Sequence, residues 1–237
     1  MNAEDATNLA KMVADRAALV RARITAAGGS TDMKLLAVTK GFGPDAVSAA
    51  LEAGLTDVGE NYAQELIEKA AVMSATRHDD GASDDADGLP EPRWHFIGRL
   101  QRNKVRHLAP LVTLWQTVDR LELIDELARR APNASVLIQI NLSEDPNKGG
   151  CTFTQADAFI DHARTVNLDV QGLMGVGPAG PPEAARPGFR ALVAIADRYN
   201  LPVRSIGMSA DLEVAVQEGS TMVRVGQGLF GQRPVRT

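Results

Sequence analysis

Lys40 is the residue with the clearest capacity for covalent chemistry. It closes a short, mostly apolar run over residues 34–40, KLLAVTK, and is followed by Gly41, Gly43 and Pro44, the pattern of a buried strand ending in a turn. A solvated lysine, with a pKa of about 10.4, is neutral in fewer than about one molecule in a thousand at pH 7. In a pocket where charge is penalised it becomes a far better amine nucleophile, and the chemistry this suggests is capture of a carbonyl as a Schiff base. The ordinary alternative is a solvated, inert strand-end lysine.

A second feature lies far along the chain. IGMSADLE, over residues 206–213, puts a glycine, Met208, the hydroxyl of Ser209 and a helix start in one turn. VRVGQGLFG, over residues 223–231, adds Gly226 and Gly228, which let backbone N–H groups approach an anion. Arg224 could pair with a phosphate or with an aromatic nitrogen. Glycine turns before helices are common, so neither turn is specific alone. A Schiff-base lysine facing a phosphate cradle spans both ends of one phosphorylated aldehyde, and pyridoxal 5'-phosphate (PLP) has that shape.

The elements that must position these residues follow one pattern. Leu9, Met12, Val13, Leu19, Val20 and Ile24 recur at helical spacing over residues 7–27 before Gly28 and Gly29, predicting a leading helix that covers one end of a barrel or joins a subunit contact. Strands are then predicted at 34–40, 55–59, 94–98, 111–117, 136–141, 170–176, 203–207 and 221–226, with helical patterns between them. Asp119 is the expected N-cap of the helix over 120–131. Eight strand and helix pairs with short connections favour an α/β fold closed as a (β/α)8 barrel over an open doubly wound sheet, although no repeat requires closure. In such a barrel the chemistry sits where strands end, which marks Lys40, Asn61, Gly98, Asn141, Met208, Ser209, Arg224 and Gly226, with Met174 inside the sixth strand. His95 alternates with Trp94 and Phe96 and reads as a hydrogen-bonded interior histidine.

Composition narrows the classes. The 237 residues are 44% hydrophobic and 23% charged, enough to bury a full core, and are read as a single domain over 1–237. A net charge of -5 without a Lys/Arg block argues against a duplex-binding surface. Cys151 is the only cysteine, which excludes an intrachain disulfide and a thiolate zinc cage. No secretory signal or membrane-length apolar run is present, and the expected location is the cytoplasm. Residues 76–93 are acidic and Gly/Pro-bearing, and read as a flexible surface insertion; Asp79, Asp80, Asp84, Asp85 and Asp87 lack the ordered spacing of a calcium loop. Arg99, Arg102, Lys104, Arg106 and His107 read as a solvated basic face, with an anionic ligand or partner enzyme as the alternative.

AVTK at 37–40, GENYAQE at 59–65, WHFIGRLQRNK at 94–104, VLIQIN at 136–141, GLM at 172–174, GMSADLEVAV at 207–216 and GSTMVRVGQGLFG at 219–231 resemble, in order, the YggS/PROSC family of PLP homeostasis proteins. The resemblance covers nearly the whole chain except the acidic run. It implies a single-domain barrel similar to that of bacterial alanine racemases, with PLP held as a Schiff base on Lys40. Ser209, Arg224 and Gly226 match residues around the phosphate end, Asn61 and Met174 match residues lining the ring, and Met208 joins the candidate set beside Ser209. An arginine facing the pyridine nitrogen would keep it unprotonated and weaken the cofactor as an electron sink, which suits a carrier. The sequence departs from the family in the threonine of AVTK, where serine is usual, and in GVGPAGPP, where an MxIPP-like run is commoner.

The expected function is therefore PLP binding and homeostasis without strong dedicated catalysis, with PLP and PLP-dependent apo-enzymes as partners, neither nucleic acid nor membrane involved, no metal, and a monomeric state. The alternative is an amino-acid racemase, which needs a second base opposite the lysine; only Tyr62 and Tyr199 are available as tyrosines. A sugar-phosphate aldolase using Lys40 directly shares the barrel and phosphate loops and differs in lacking the cofactor.

Overall fold

Parallel strands enclosed by helices meet little solvent on either face, and the runs LLAV and VLI are apolar on both. The computed structural model describes residues 2–79, 89–143, 145 and 148–233. It opens with α1 (Ala3–Ala26), where the Asn2 side chain accepts the Asp5 N–H at 2.8 Å as an N-cap. There follow β1 (Lys34–Val38), α2 (Pro44–Glu52), β2 (Asp57–Glu60), α3 (Ala63–Asp79), β3 (Arg93–Phe96), α4 (Arg102–Leu108), β4 (Val112–Val118) and α5 (Leu121–Arg130). The second half comprises β5 (Ser135–Asn141), α6 (Ala156–Thr165), β6 (Asp169–Val176), α7 (Arg186–Arg198), β7 (Val203–Ser205), α8 (Leu212–Gln217), β8 (Met222–Val225) and the short α9 (Gln227–Phe230).

The strands form one closed parallel barrel in chain order, β8 pairing back onto β1 with Leu36 opposite Arg224. Closure follows directly from that pairing. Leu36 and Val38 point inward with Leu114, Leu137, Met174 and Met222, while Leu35 and Ala37 face the helices. The larger apolar layer lies between sheet and helices, around Phe96, Trp115 and Phe189. Polar groups share the interior: Asp57, His95, Gln116, Ser205 and Arg224 are all buried.

α1 lies along the side of the barrel, not across an end. Its face of Val13, Ala17, Val20 and Ile24 packs with Ala46 and Ala50 of α2, Leu212 and Val216 of α8, and Phe230 of α9. The physical reason is that the four residues of α9 cannot cover the β8 to β1 seam, and α1 completes the outer ring there.

Most strand ends shift by one or two residues from the sequence reading, and three differences bear on the site and its surroundings. β1 ends at Val38, so Lys40 stands in the following turn, with Gly41 at φ +76°. The N-cap of α5 is Arg120, not Asp119, because the Asp119 carboxylate is engaged by the Arg120 guanidinium and turned toward Gly149. α3 continues to Asp79 and β3 starts at Arg93, while 80–88, the body of the expected acidic insertion, lies outside the described residues. Among the described residues no helix is long and apolar enough to cross a membrane.

Gly98 shows how tightly the mouth is built, since a Cβ there would stand 1.9 Å from the Asn61 carbonyl oxygen. The Gly98→Ala protein is expected to lose about 3 kcal/mol of stability in a denaturant titration, because backbone and not a flexible side chain must give way.

Candidate functional site

The turn carrying Lys40 is pinned on both sides. Thr39, fully buried, donates its hydroxyl to Glu60 Oε1 at 2.6 Å, and its carbonyl accepts Lys69 Nζ at 2.8 Å. Lys69 also pairs with Glu60 Oε1, both side chains being buried. On the other side, the Gly41 N–H donates to Glu65 Oε2 at 2.9 Å, and that oxygen lies 3.9 Å from Lys69 Nζ. Two carboxylates and one ammonium from β2 and α3 thus fix the backbone before and after Lys40. The Lys40 amine is half-buried, and burial, then the charges of Arg233 and Arg224, lower its pKa against the opposing charge of Glu60.

Arg224 enters the barrel from β8, the strand paired with β1. Its Nη1 donates to the Ser205 carbonyl at 2.6 Å and to Ser205 Oγ at 2.7 Å, and its Nη2 to the Gly175 carbonyl at 2.8 Å. Burial pulls its pKa below the ordinary guanidinium value, with the Asp211 charge opposing, and it stays charged at neutral pH. These bonds leave N–H donors of the guanidinium for another acceptor. Gly226 follows at the strand end, where a Cβ would stand 3.1 Å from the Val38 carbonyl oxygen. Ser209 meets the next glycine, its Oγ 3.1 Å from a Cβ built on Gly228. Two arginines of α1 hold these turns: Arg23 donates to the Ser209 carbonyl at 3.0 Å while bound to Glu213, and Arg16 donates to the Leu229 carbonyl at 3.0 Å.

Asn61 follows β2 directly, and its Oδ1 is buried without a hydrogen-bond partner. Met174, 3% exposed, lines the interior opposite Gln139 and Ser205. Met208 is 38% exposed, gives its N–H to Asp211 Oδ1 at 2.7 Å, and lines a rim cavity of about 320 Å³ with Lys148, Gly177 and Pro178. The Arg224 charge thus acts on the Lys40 amine, and Ser209 joins the turn of Gly226 and Gly228, while the Met208 side chain faces the adjoining rim. Tyr62 stands exposed on the rim; Tyr199 lies on the outer helices under the guanidinium groups of Arg164 and Arg198. Burial pushes the Cys151 thiol up to about 12, which leaves it inert.

The sequence reading missed Glu60, Glu65, Lys69, Arg233 and the α1 arginines. Glu60 and Glu65 lie inside GENYAQE, and the spacing of Glu65 and Lys69 looks like an ordinary surface helix pair. His95 is interior as expected, its Nε2 lying 3.0 Å from Asp57 Oδ1, and Arg93 reaches Asp57 Oδ2 at 2.5 Å. Burial lowers the His95 pKa against the bond and charge of Asp57, with Lys34 and Arg93 lowering it further. Burial raises the Asp57 carboxyl, but His95 and Arg93 together outweigh it and hold it at about 2. As pH falls below about 6.5 the unfolded chain takes up a histidine proton that the folded ring refuses, so stability decreases. The stabilisation from Asp57, present above about pH 4, is lost as pH falls through about 2. Melting temperature measured between pH 7 and pH 5 is expected to fall in the wild type and to fall less steeply in His95→Gln.

The model of the alanine racemase, N-terminal domain family matches residues 13–234, which span the closed parallel barrel from α1 past its eighth strand. The pyridoxal phosphate homeostasis protein of Aquifex aeolicus is 37% identical over 217 residues, covering 86% of this chain and 89% of that one. The Escherichia coli K12 protein of the same name is 35% identical over 238 residues, covering 93% and 97%. The structure of PipY from Synechococcus elongatus PCC7942 with PLP bound superposes with a TM-score of 0.76 at 27% identity, covering 92% of this chain and all of that one. The chain belongs to the family of pyridoxal phosphate homeostasis proteins, within the alanine racemase N-terminal domain class.

Proposed function

We propose that this protein binds PLP through Lys40 and serves the homeostasis of that cofactor in the cytoplasm, as a monomeric carrier and not as a dedicated catalyst. The observation that carries the reading is the Lys40 amine: half-buried on a pinned turn, its pKa lowered by burial and by the charges of Arg233 and Arg224. The residues present fit the cofactor. The cations Lys40, Arg224 and Arg233 favour an anionic ligand, Gly226 and Gly228 bring backbone close beside Ser209, and the orphaned Asn61 Oδ1 lacks an acceptor's usual partner.

When bound, the aldehyde of PLP condenses with a primary amine, releasing water. Lys40 supplies that amine in a partly desolvated setting that makes its neutral form more accessible. Ser209 and the turn of Gly226 and Gly228 would hold the phosphate, with Met208 at their rim. Asn61 and Met174 would flank the ring. Arg224, which lies in β8 ahead of the Gly226 turn, would offer its remaining N–H donors to the ring nitrogen, and its charge would keep that nitrogen unprotonated. That disfavours carbanion chemistry and supports the carrier reading. PLP-dependent apo-enzymes are the partners that would accept the cofactor, and neither nucleic acid nor a membrane enters this reading.

Borohydride treatment of PLP-loaded protein is expected to discharge its yellow colour and fix the cofactor's mass on the Lys40 peptide. Colourless protein that instead traps a sugar phosphate would replace this reading with an aldolase. Production of D-amino acids from single L-amino acids at the rate of dedicated racemases would replace the carrier with an enzyme. Transfer of PLP from loaded protein to an apo-enzyme, followed by titration, tests the carrier role directly.

A further inference from the structure

A file of polar side chains crosses the inside of the barrel from its amino-terminal end to Arg224. Arg93 and Asp57 begin β3 and β2, and Asp57 Oδ1 faces His95 Nε2 at 3.0 Å. His95 Nδ1 faces Gln116 Nε2 at 2.7 Å, Gln116 Oε1 accepts the Ser205 hydroxyl at 2.7 Å, and Ser205 Oγ accepts Arg224 Nη1 at 2.7 Å. The other Gln116 N–H points to Met222 Sδ at 3.3 Å.

The file has a direction. An ionised carboxylate only accepts, so His95 carries its hydrogen on Nε2 and leaves Nδ1 as an acceptor. That fixes the Gln116 amide, nitrogen toward His95 and oxygen toward Ser205, so every donor points from Arg224 toward Asp57. A second proton on His95 would set Nδ1–H against the Gln116 N–H, and the amide would have to turn. Its nitrogen would then face Ser205 Oγ, which would lose the acceptor for its own hydrogen and receive two donors, one of them Arg224.

We propose that Gln116 is a positioning residue that couples the protonation state of His95 to the hydrogen bonding of Arg224 and, through Arg224, to the affinity for the cofactor's ring. The last link rests on the cofactor reading above; the coupling between His95 and Arg224 does not. The charged groups acting on the ring are Asp57 from β2, Arg93 from β3 and Lys34 from β1, while β4 presents neutral Gln116. Burial keeps the ring neutral at pH 7, so the change belongs to the acid side of neutrality.

The test uses full-length, nitrogen-15-labelled protein without cofactor, in which the ring nitrogens of His95 and the guanidinium signals of Arg224 are followed by NMR as pH is lowered. The expected result is the Nε2–H tautomer at pH 7 and Arg224 signals that shift with the midpoint of His95. In Gln116→Leu, and independently in the milder Ser205→Ala, His95 should still titrate while the Arg224 signals no longer follow. With PLP added, the wild-type Kd read from absorbance should change about five-fold or more across the same range, and stay flat in both variants. Arg224 signals that ignore the His95 midpoint, that follow it equally in both variants, or a ring that stays neutral until the protein unfolds would each overturn the proposal, and the wild-type titration suffices if a variant misfolds. A flat wild-type Kd alongside moving Arg224 signals would overturn the link to the ligand. Failure to bind PLP at any pH, with the NMR coupling intact, would overturn the cofactor reading instead.

Discussion

The Lys40→Ala protein is expected to retain no PLP through borohydride reduction and to fold as well as the wild type. The turn around Lys40 is fixed through its neighbours, by the Thr39 hydroxyl and carbonyl and by the Gly41 N–H, and each of these survives the truncation. The lost amine is half-buried and repelled by Arg224 and Arg233, so removing it relieves a clustering of like charge. Stability should therefore change by less than about 0.5 kcal/mol, as for surface positions without a structural bond. Intact mass after reduction reads the covalent link, and thermal denaturation reads the fold. An adduct that persists on another lysine of the variant would refute the assignment.

Lys69→Met should have the opposite profile, a large loss of stability together with weakened cofactor binding. Glu60 is fully buried and its Oε2 has no hydrogen-bond partner, so Lys69 and the Thr39 hydroxyl are what compensate its carboxylate. Removing one partner of such a pair costs about 3–5 kcal/mol, because the other charge is left in the interior alone. The Thr39 carbonyl loses its donor at the same time, which frees the turn that aims Lys40. Chemical denaturation of the single variant and of Lys69→Met with Glu60→Leu checks this: the double variant should recover most of the loss, since the fully buried carboxylate goes with its partner and Glu65 keeps the Gly41 N–H. Equal destabilisation of single and double variants would mean that packing, and not charge, holds this corner.

The fold was legible because buried parallel strands leave a strong record: short apolar runs, each followed by turn residues and a helical period. Lys40 and the Gly226 turn were legible for the same reason, since residues just past a strand stand at the barrel mouth. What the sequence could not convey was partnership. Glu65 and Lys69 have the spacing of a solvated helix pair, and only tertiary packing turns Lys69 inward to Glu60. Alternation along β3 put His95 inside, but its neighbours Asp57 and Gln116 come from other strands, and no local pattern links them. Asp119 failed as a cap because a nearby guanidinium engages its carboxylate more strongly than the free amides of α5 do. Arg233 carries no periodic signal at all.

The seam between β8 and β1 bears on when this pocket comes into being. Lys40 is synthesised early, but Ser209, Arg224 and Gly226 are added only as the ribosome nears the last barrel strand, and α1 must wait beside them to clamp both turns. Contacts so distant along the chain form late, after most of the loop-closure entropy has been spent. A nascent chain accordingly displays the Lys40 amine long before the turns around Ser209 and Gly226 exist beside it, and the site is complete only when the ring of strands is shut.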